Sequence, residues 1–266
     1  MIMDTIKSNK FDPAKQVKVI EDFIKTYFVH NGNSNTKAVI GISGGKDSTI
    51  AAALLVRALG ADRVIGVLMP QDVQVDIDDS RKVCKILGIT GIEIDIGPTC
   101  DKLYQAIDKC GELDHCATSY STVTTNTPAR IRMTTLYAVA AMVNGRVCNT
   151  GNASELYIGY TTKYGDLAGD FGIFRNLTVR EIYAIGDYLG LPKDLVHKHP
   201  ADGMTGKTDE EKTGIPYDAI DDFLLDNIIP NMELWEKISA AHIRNKHKEI
   251  LCLPTPGRDN GYLNYR

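Results

Sequence analysis

The sequence predicts an α/β fold, a doubly wound parallel sheet flanked by helices. Three observations carry the prediction. Short apolar runs alternate with longer stretches whose apolar residues recur at helical spacing. The run "AVIGI" at 38–42 is apolar throughout, as a strand covered on both faces should be. Turn-forming segments at 41–48 and from Thr150 follow two of the runs, where ligands of such sheets bind.

Asp12-Pro13 supplies a capping side chain and a first-turn proline. Val17, Ile20, Phe23, Ile24, Tyr27 and Phe28 then predict an amphipathic helix. After "AVIGI" comes "DSTIAAALLVRAL" (47–59), a helix closed by Gly60. "RVIGVLM" (63–69) is the next strand and "DIDDSRKVCKIL" (76–87) the next helix. "GIEIDI" (91–96) alternates like a strand, and residues 99–110 read as another helix. A long helix is expected over 127–144, then a fourth strand, "RVCNT" (146–150). Residues 157–206 are glycine-rich, with "GYTTKYGDLAGDFG" (159–172) read as binding loops and the polar stretch 202–216 as a lid. Helices around 217–226 and 232–248 close the domain. With no repeat or linker, residues 1–266 are expected to form one domain.

Composition bounds the function. The 266 residues are 43% hydrophobic and 24% charged, an ordinary globular balance. Thirty basic and 34 acidic residues give a net charge of −4, which leaves no footprint for wrapping nucleic acid. Six cysteines stand without C-x-x-C spacing, so a zinc or redox centre has little support, and reduced thiols are expected. The amino terminus is no signal peptide, and no run reaches the roughly 18 apolar residues of a membrane helix. A cytoplasmic protein is expected.

Residues 38–51 read "AVIGISGGKDSTIA". This is not the common triphosphate loop, because Ile40 stands where the first glycine belongs and Asp47 follows the lysine. A strand, then Ser43-Gly44-Gly45-Lys46-Asp47-Ser48, then a helix still aims several amides and a positive helix end at one point. Such a site suits pyrophosphate. Asp47 would repel bare phosphate, yet fits if it holds a magnesium ion shared with the phosphates. The plainer alternative is a tight turn with Asp47 as a cap.

The pattern S-G-G-x-D-S resembles the loop of the N-type ATP pyrophosphatases, whose fold is adenine nucleotide α-hydrolase-like. These enzymes split ATP between its α and β phosphates and adenylate a substrate. "ARIRM" (129–133) with Tyr137, "NTGNASE" (149–155), "GYTTKYGD" (159–166), "KTDEEKTGIPYDAIDDFL" (207–224) and "HK" (247–248) follow in order. Together they are similar to the ammonia-dependent NAD synthetases, and the resemblance runs from about residue 17 to 250. It implies amidation of nicotinic acid adenine dinucleotide to NAD through an acyl-adenylate, with AMP and pyrophosphate released. This is the last step of NAD biosynthesis.

The resemblance also assigns residues. Gly41, Ile42, Ser43, Gly44, Gly45, Lys46, Asp47, Ser48, Gln74 and Thr150 would bind ATP. Asp47 and Glu155 would hold magnesium and serve catalysis, although Glu155 could simply be an acid in a helix's first turn. Tyr27, Arg130, Tyr137, Lys163, Asp170, His247 and Lys248 would bind the deamidated dinucleotide. Arg130 suits phosphate in fork geometry, or a surface ion pair, and either tyrosine could equally be core. A homodimer is implied. No glutamine-hydrolysing domain is visible, so ammonia is the expected nitrogen source.

Three side-chain contacts to ATP depart from the family. Val179 stands where a lysine often reaches the ATP phosphates, Pro200 and Ala201 replace a hydroxyl, and Leu68 replaces an arginine of some members. Lys46, Arg175, Arg180 or Lys207 are expected to compensate. Two other readings compete: a tRNA-modifying adenylase, which would want a basic surface and paired cysteines, and a nucleotide sensor without turnover, which would have little use for both acids.

Overall fold

The computed structural model describes residues 11–72, 74, 77–111, 120–197 and 208–248. Helix α1 (Pro13–His30) starts where expected, with the Asp12 side chain accepting from the amides of Ala14 and Lys15. Strand β1 (Lys37–Gly41) leads through the glycine turn into α2 (Lys46–Leu59), which ends at Gly60. A single 3₁₀ turn, Ala61–Arg63, precedes β2 (Val64–Leu68). Then follow α3 (Ile77–Leu87), β3 (Thr90–Glu93), α4 (Gly97–Asp108), α5 (Tyr120–Met142) and β4 (Gly145–Asn149). The second half holds α6 (Ala153–Ile158), β5 (Phe171–Gly172), α7 (Val179–Tyr188), α8 (Lys193–Val196), α9 (Asp209–Thr213), α10 (Tyr217–Asp226) and α11 (Met232–Asn245).

The five strands run parallel in the order β3-β2-β1-β4-β5. The order reverses between β1 and β4, which pair with Val39 opposite Val147. That reversal is the switch point where open α/β sheets form their crevice. Both faces are covered. Val17, Ile20, Ile24 and Phe28 of α1 pack with Ile50, Leu54 and Leu55 of α2 and with Ile182 and Ile185 of α7. On the other face, Met133, Leu136, Val139 and Ala140 of α5 cover Val39, Val67 and Val147. Each fully buried aliphatic side chain contributes about 1.5–3 kcal/mol to this assembly. Phe23, read as part of the apolar stripe of α1, is 44% exposed because it flanks the buried face.

Several expectations need correction. The long helix starts at Tyr120, seven residues before the predicted start at 127, and carries Pro128 inside it. The third strand ends at Glu93, because Ile96 is already the N-cap of α4. The loops expected at 159–172 are present, with the two-residue β5 at their end; helix α6 runs up to them, and α7, which was not expected, follows them. Both open on capping boxes, Asn152 with Glu155 and Thr178 with Glu181, a local signal legible in the sequence. The last helix ends at Asn245 and a 3₁₀ turn, Lys246–Lys248, follows. Of the candidate lid, residues 202–207 lie outside the described residues, and 208–216 include α9. No helix among the described residues is long and apolar enough to cross a membrane.

Candidate nucleotide site at the sheet's switch point

The Ile42 amide donates to Val67 O at 2.9 Å, so the sheet continues to the edge of the glycine turn. Gly44 then takes φ +76°, and a Cβ there would lie 2.9 Å from Asp79 Cβ. Only glycine combines that left-handed backbone with so close an approach of α3. The Ser43 and Ser48 hydroxyls sit 3.1 Å apart, and Ser48 Oγ donates to Gly45 O at 3.1 Å. The Ser43 and Gly45 amides lean on hydroxyls at a long 3.3 Å. Those of Gly44, Lys46 and Asp47 have no partner among the described residues. Gly45, the N-cap, has no side chain to close the helix end. The open amides and the helix dipole suit an anion.

Glu155 approaches this turn from the first turn of α6, which follows the neighbouring strand β4. Its backbone amide donates to Asn152 Oδ1 at 2.9 Å, and its Oε2 accepts from the Asn152 amide at 3.1 Å. The capping box therefore fixes the acid at the mouth of β4. Burial raises the pKa of Glu155, Asp47 raises it further, and Lys46 works against both. The two carboxylates thus feel each other across the switch point. Lys46 stands with them, 4% exposed, its Nζ 2.8 Å from Asp47 Oδ2. Burial disfavours its charge, but Asp47 and Glu155 more than offset this and hold its pKa above the ordinary value. Asp47 Oδ1 is buried with no partner.

Among the described residues no group of three or more His, Cys, Asp or Glu side chains could hold a metal. A cation here would lean on Asp47 and Glu155 and take its other ligands from phosphate and water. The unpartnered Asp47 oxygen fits that use, because magnesium keeps several waters and takes one or two carboxylates besides phosphate oxygens.

Sequence reasoning missed the aromatic walls of the site. Tyr183 and Tyr217 lie with ring centroids 5.6 and 6.0 Å from the Lys46 ammonium. It also missed Asp221, which is fully buried and accepts from Ser154 Oγ at 2.5 Å and from the Arg180 amide at 2.8 Å. Ser154 precedes Glu155, and its Oγ accepts from the Val179 amide at 3.1 Å. One buried carboxylate therefore ties together the starts of α6 and α7.

The remaining ATP candidates border the crevice. Thr150, half-buried, follows β4 directly. Gln74 is half-buried, and its carbonyl accepts from Ile77 at the start of α3. Val179 and Leu68 are core residues at 5% and 3% exposure, so neither position presents a side chain to ligand. Of the expected substitutes, Lys46 is in the site. Arg180 is committed to Asp222 at 2.7 Å and Asp218 at 3.5 Å. Arg175 lays its stem against Gly172. Lys207, Pro200 and Ala201 lie outside the described residues.

The dinucleotide candidates gather in two groups along α5. Tyr27 OH donates to Asp170 O at 3.3 Å, and Tyr137 OH to Asp170 Oδ1 at 3.4 Å. Asp170 Oδ2 accepts from the Val147 amide at 2.7 Å. Burial, then Asp170, pushes the Tyr137 phenol up to about 12. Tyr27 is half-buried, and its ring lies tilted against Phe171 with centroids 4.6 Å apart, so it serves packing as well. In the second group Arg130 Nε donates to Lys163 O at 3.2 Å, and Lys163 Nζ to His247 O at 3.1 Å. Lys248 Nζ donates to Gly159 O and Thr161 O. Arg130 and Tyr137 are two helical turns apart on α5, which links the groups.

An amide-lined turn facing two carboxylates, at the switch point of a parallel sheet, defines a nucleotide-binding protein of the adenine nucleotide α-hydrolase-like fold. Comparison narrows this further. The NAD synthase family profile matches residues 16–251, and the chain belongs to that family. It is 37% identical over 225 residues to the NH(3)-dependent NAD(+) synthetase of Alkaliphilus metalliredigens, covering 82% of this chain and 90% of that one. The NMN synthetase structure from Francisella tularensis matches with a TM-score of 0.84 and 31% identity, over 94% of this chain and 100% of the other. The NAD+ synthetase structure from Burkholderia pseudomallei matches with 0.73 and 30%, over 91% of each.

Proposed function

We propose that this chain is an ammonia-dependent ligase that converts nicotinic acid adenine dinucleotide to NAD at the expense of ATP. The single observation that carries the reading is the convergence of Asp47, Glu155 and the open amides of the 43–48 turn at one switch point. The activity is the one named for its relatives. The turn would grip the β and γ phosphates while the nicotinate carboxylate attacks the α-phosphate. That forms the acyl–phosphate bond and releases pyrophosphate. Ammonia then adds to the acyl carbon, AMP leaves and a proton is lost. Such a reaction needs position and charge neutralisation more than a nucleophilic side chain.

Magnesium held by Asp47 and Glu155 would neutralise the phosphates. Thr150, Gln74, Ser43 and Ser48 would donate to the nucleotide. Arg130, Lys163, His247 and Lys248 would take the phosphates and carboxylate of the second substrate, and Tyr27, Tyr137 and Asp170 its remaining half. We also propose a homodimer, with the exposed apolar edge of Phe23 and Tyr137 at the contact, and work in the cytoplasm, where the buried Cys84, Cys100 and Cys148 stay reduced.

The test is purified protein with ATP, magnesium, ammonium and nicotinic acid adenine dinucleotide, followed for NAD and AMP. Both should appear, and Asp47→Asn should stop them. ADP in place of AMP would overturn the mechanism. The match to an NMN synthetase favours a second reading, in which the acceptor is nicotinic acid mononucleotide. The same assay with each acceptor separates the two by their kcat/KM.

A further inference from the structure

Tyr217 opens α10, and its side chain is 6% exposed. The hydroxyl oxygen is fully buried and has no hydrogen-bond partner among the described residues. Buried phenols almost always find one, so its isolation calls for an explanation. The ring is not free to turn away. Its own amide donates to Glu210 Oε1 at 2.7 Å, and its face packs in the cluster of Ile158, Val179, Ile215, Ile220 and Ile238. The Lys46 ammonium, itself 2.8 Å from Asp47, lies 6.0 Å from the ring centroid.

Other polar atoms around the same crevice are orphaned too. Asp47 Oδ1, Asn152 Nδ2 beside Glu155, and Ser80 Oγ beside Gly44 are all buried without partners. Acceptors and donors thus face the crevice without meeting one another. Burial, reinforced by Glu155, Asp209 and Asp47, keeps the phenol protonated, and a protonated phenol needs an acceptor.

We propose that the Tyr217 hydroxyl is a further phosphate-contacting group of this site, donating to an oxygen on the departing pyrophosphate half of the bound nucleotide. The open amides of the 43–48 turn receive the same anion from the other side. This deepens the reaction proposed above and rests on it for the identity of the nucleotide.

The test is Tyr217→Phe, which keeps the ring, its packing and its place beside Lys46. Magnesium pyrophosphate, magnesium ATP and AMP are titrated calorimetrically into the wild type and the variant. Loss of one hydrogen bond to a charged acceptor should weaken pyrophosphate and ATP binding roughly 10- to 150-fold. AMP, which lacks the departing half, should bind as before, and the melting temperature should not fall. The KM for ATP should rise while that for ammonium stays put. Unchanged pyrophosphate affinity would overturn the contact. So would equal losses for AMP and pyrophosphate with a lowered melting temperature, since that marks a packing role. The two proposals fail separately: the reaction fails if the wild type forms no amide, and the contact fails on the binding data alone.

Discussion

The ammonium of Lys46 lies 2.8 Å from Asp47 Oδ2, in a crevice where Glu155 is the second acid. The chain thus carries an internal cation at the position proposed for magnesium. With Asp47 only 19% exposed, the pair behaves as a buried ion pair rather than a surface one.

Lys46→Met should therefore destabilise the metal-free protein by about 3 kcal/mol, since removing one partner strands the other's charge. Magnesium should recover most of that loss. Urea unfolding with and without the ion measures both. Equal losses in the two conditions would show that Lys46 serves packing alone.

The raised pKa of Glu155 sets a pH signature. A carboxyl whose folded-state pKa lies above its unfolded value binds more protons when folded. Metal-free stability should then fall as pH rises from the ordinary carboxylate range to about 8. Magnesium binding expels that proton, so affinity for the ion should tighten over the same window. Melting curves of wild type and Glu155→Gln between pH 5 and pH 8 check the slope, which the variant should lose. Parallel curves would assign the pH dependence to other groups.

Asp221 holds Ser154 Oγ and the Arg180 amide together in the interior. Asp221→Ala leaves both without their acceptor and should cost roughly 2–6 kcal/mol, at about 1–3 kcal/mol for each unsatisfied group. Because Ser154 precedes Glu155, kcat should fall as well, even at temperatures where the variant remains folded. Chemical denaturation and steady-state kinetics on one preparation separate the two effects.

Among the described residues, Arg130 hydrogen-bonds the Lys163 carbonyl through Nε, which leaves its terminal nitrogens to a ligand. Arg130→Ala should raise the KM for the dinucleotide 10-fold or more, the worth of about 1.4 kcal/mol, and leave the KM for ATP unchanged. A matching rise for ATP would place the arginine in the nucleotide site instead.

Much of this architecture was legible because it is local. The helical spacing of Val17, Ile20, Ile24 and Phe28, the apolar run at 38–42 and the glycine turn each depend on a few neighbouring residues, and each lies where its pattern indicates. Helices α6 and α7 were obscured by the glycines around them, although their capping boxes were in plain view. The start of α5 was obscured by Pro128, whose lost amide the rest of a 23-residue helix tolerates.

Sequence alone determined most of the strands and helices and the place of the glycine turn, because spacing and turn residues act over a few positions. Tertiary structure decided which side chains meet. Asp47 and Glu155 are distant in the chain, and they share one crevice because β1 and β4 are neighbours where the strand order reverses. Lys46 could have been a solvated surface charge, and Tyr217 and Asp221 ordinary helix residues. Packing of α7 and α10 against that crevice buries all three, and burial turns their charges and hydrogen bonds into interactions that water no longer screens.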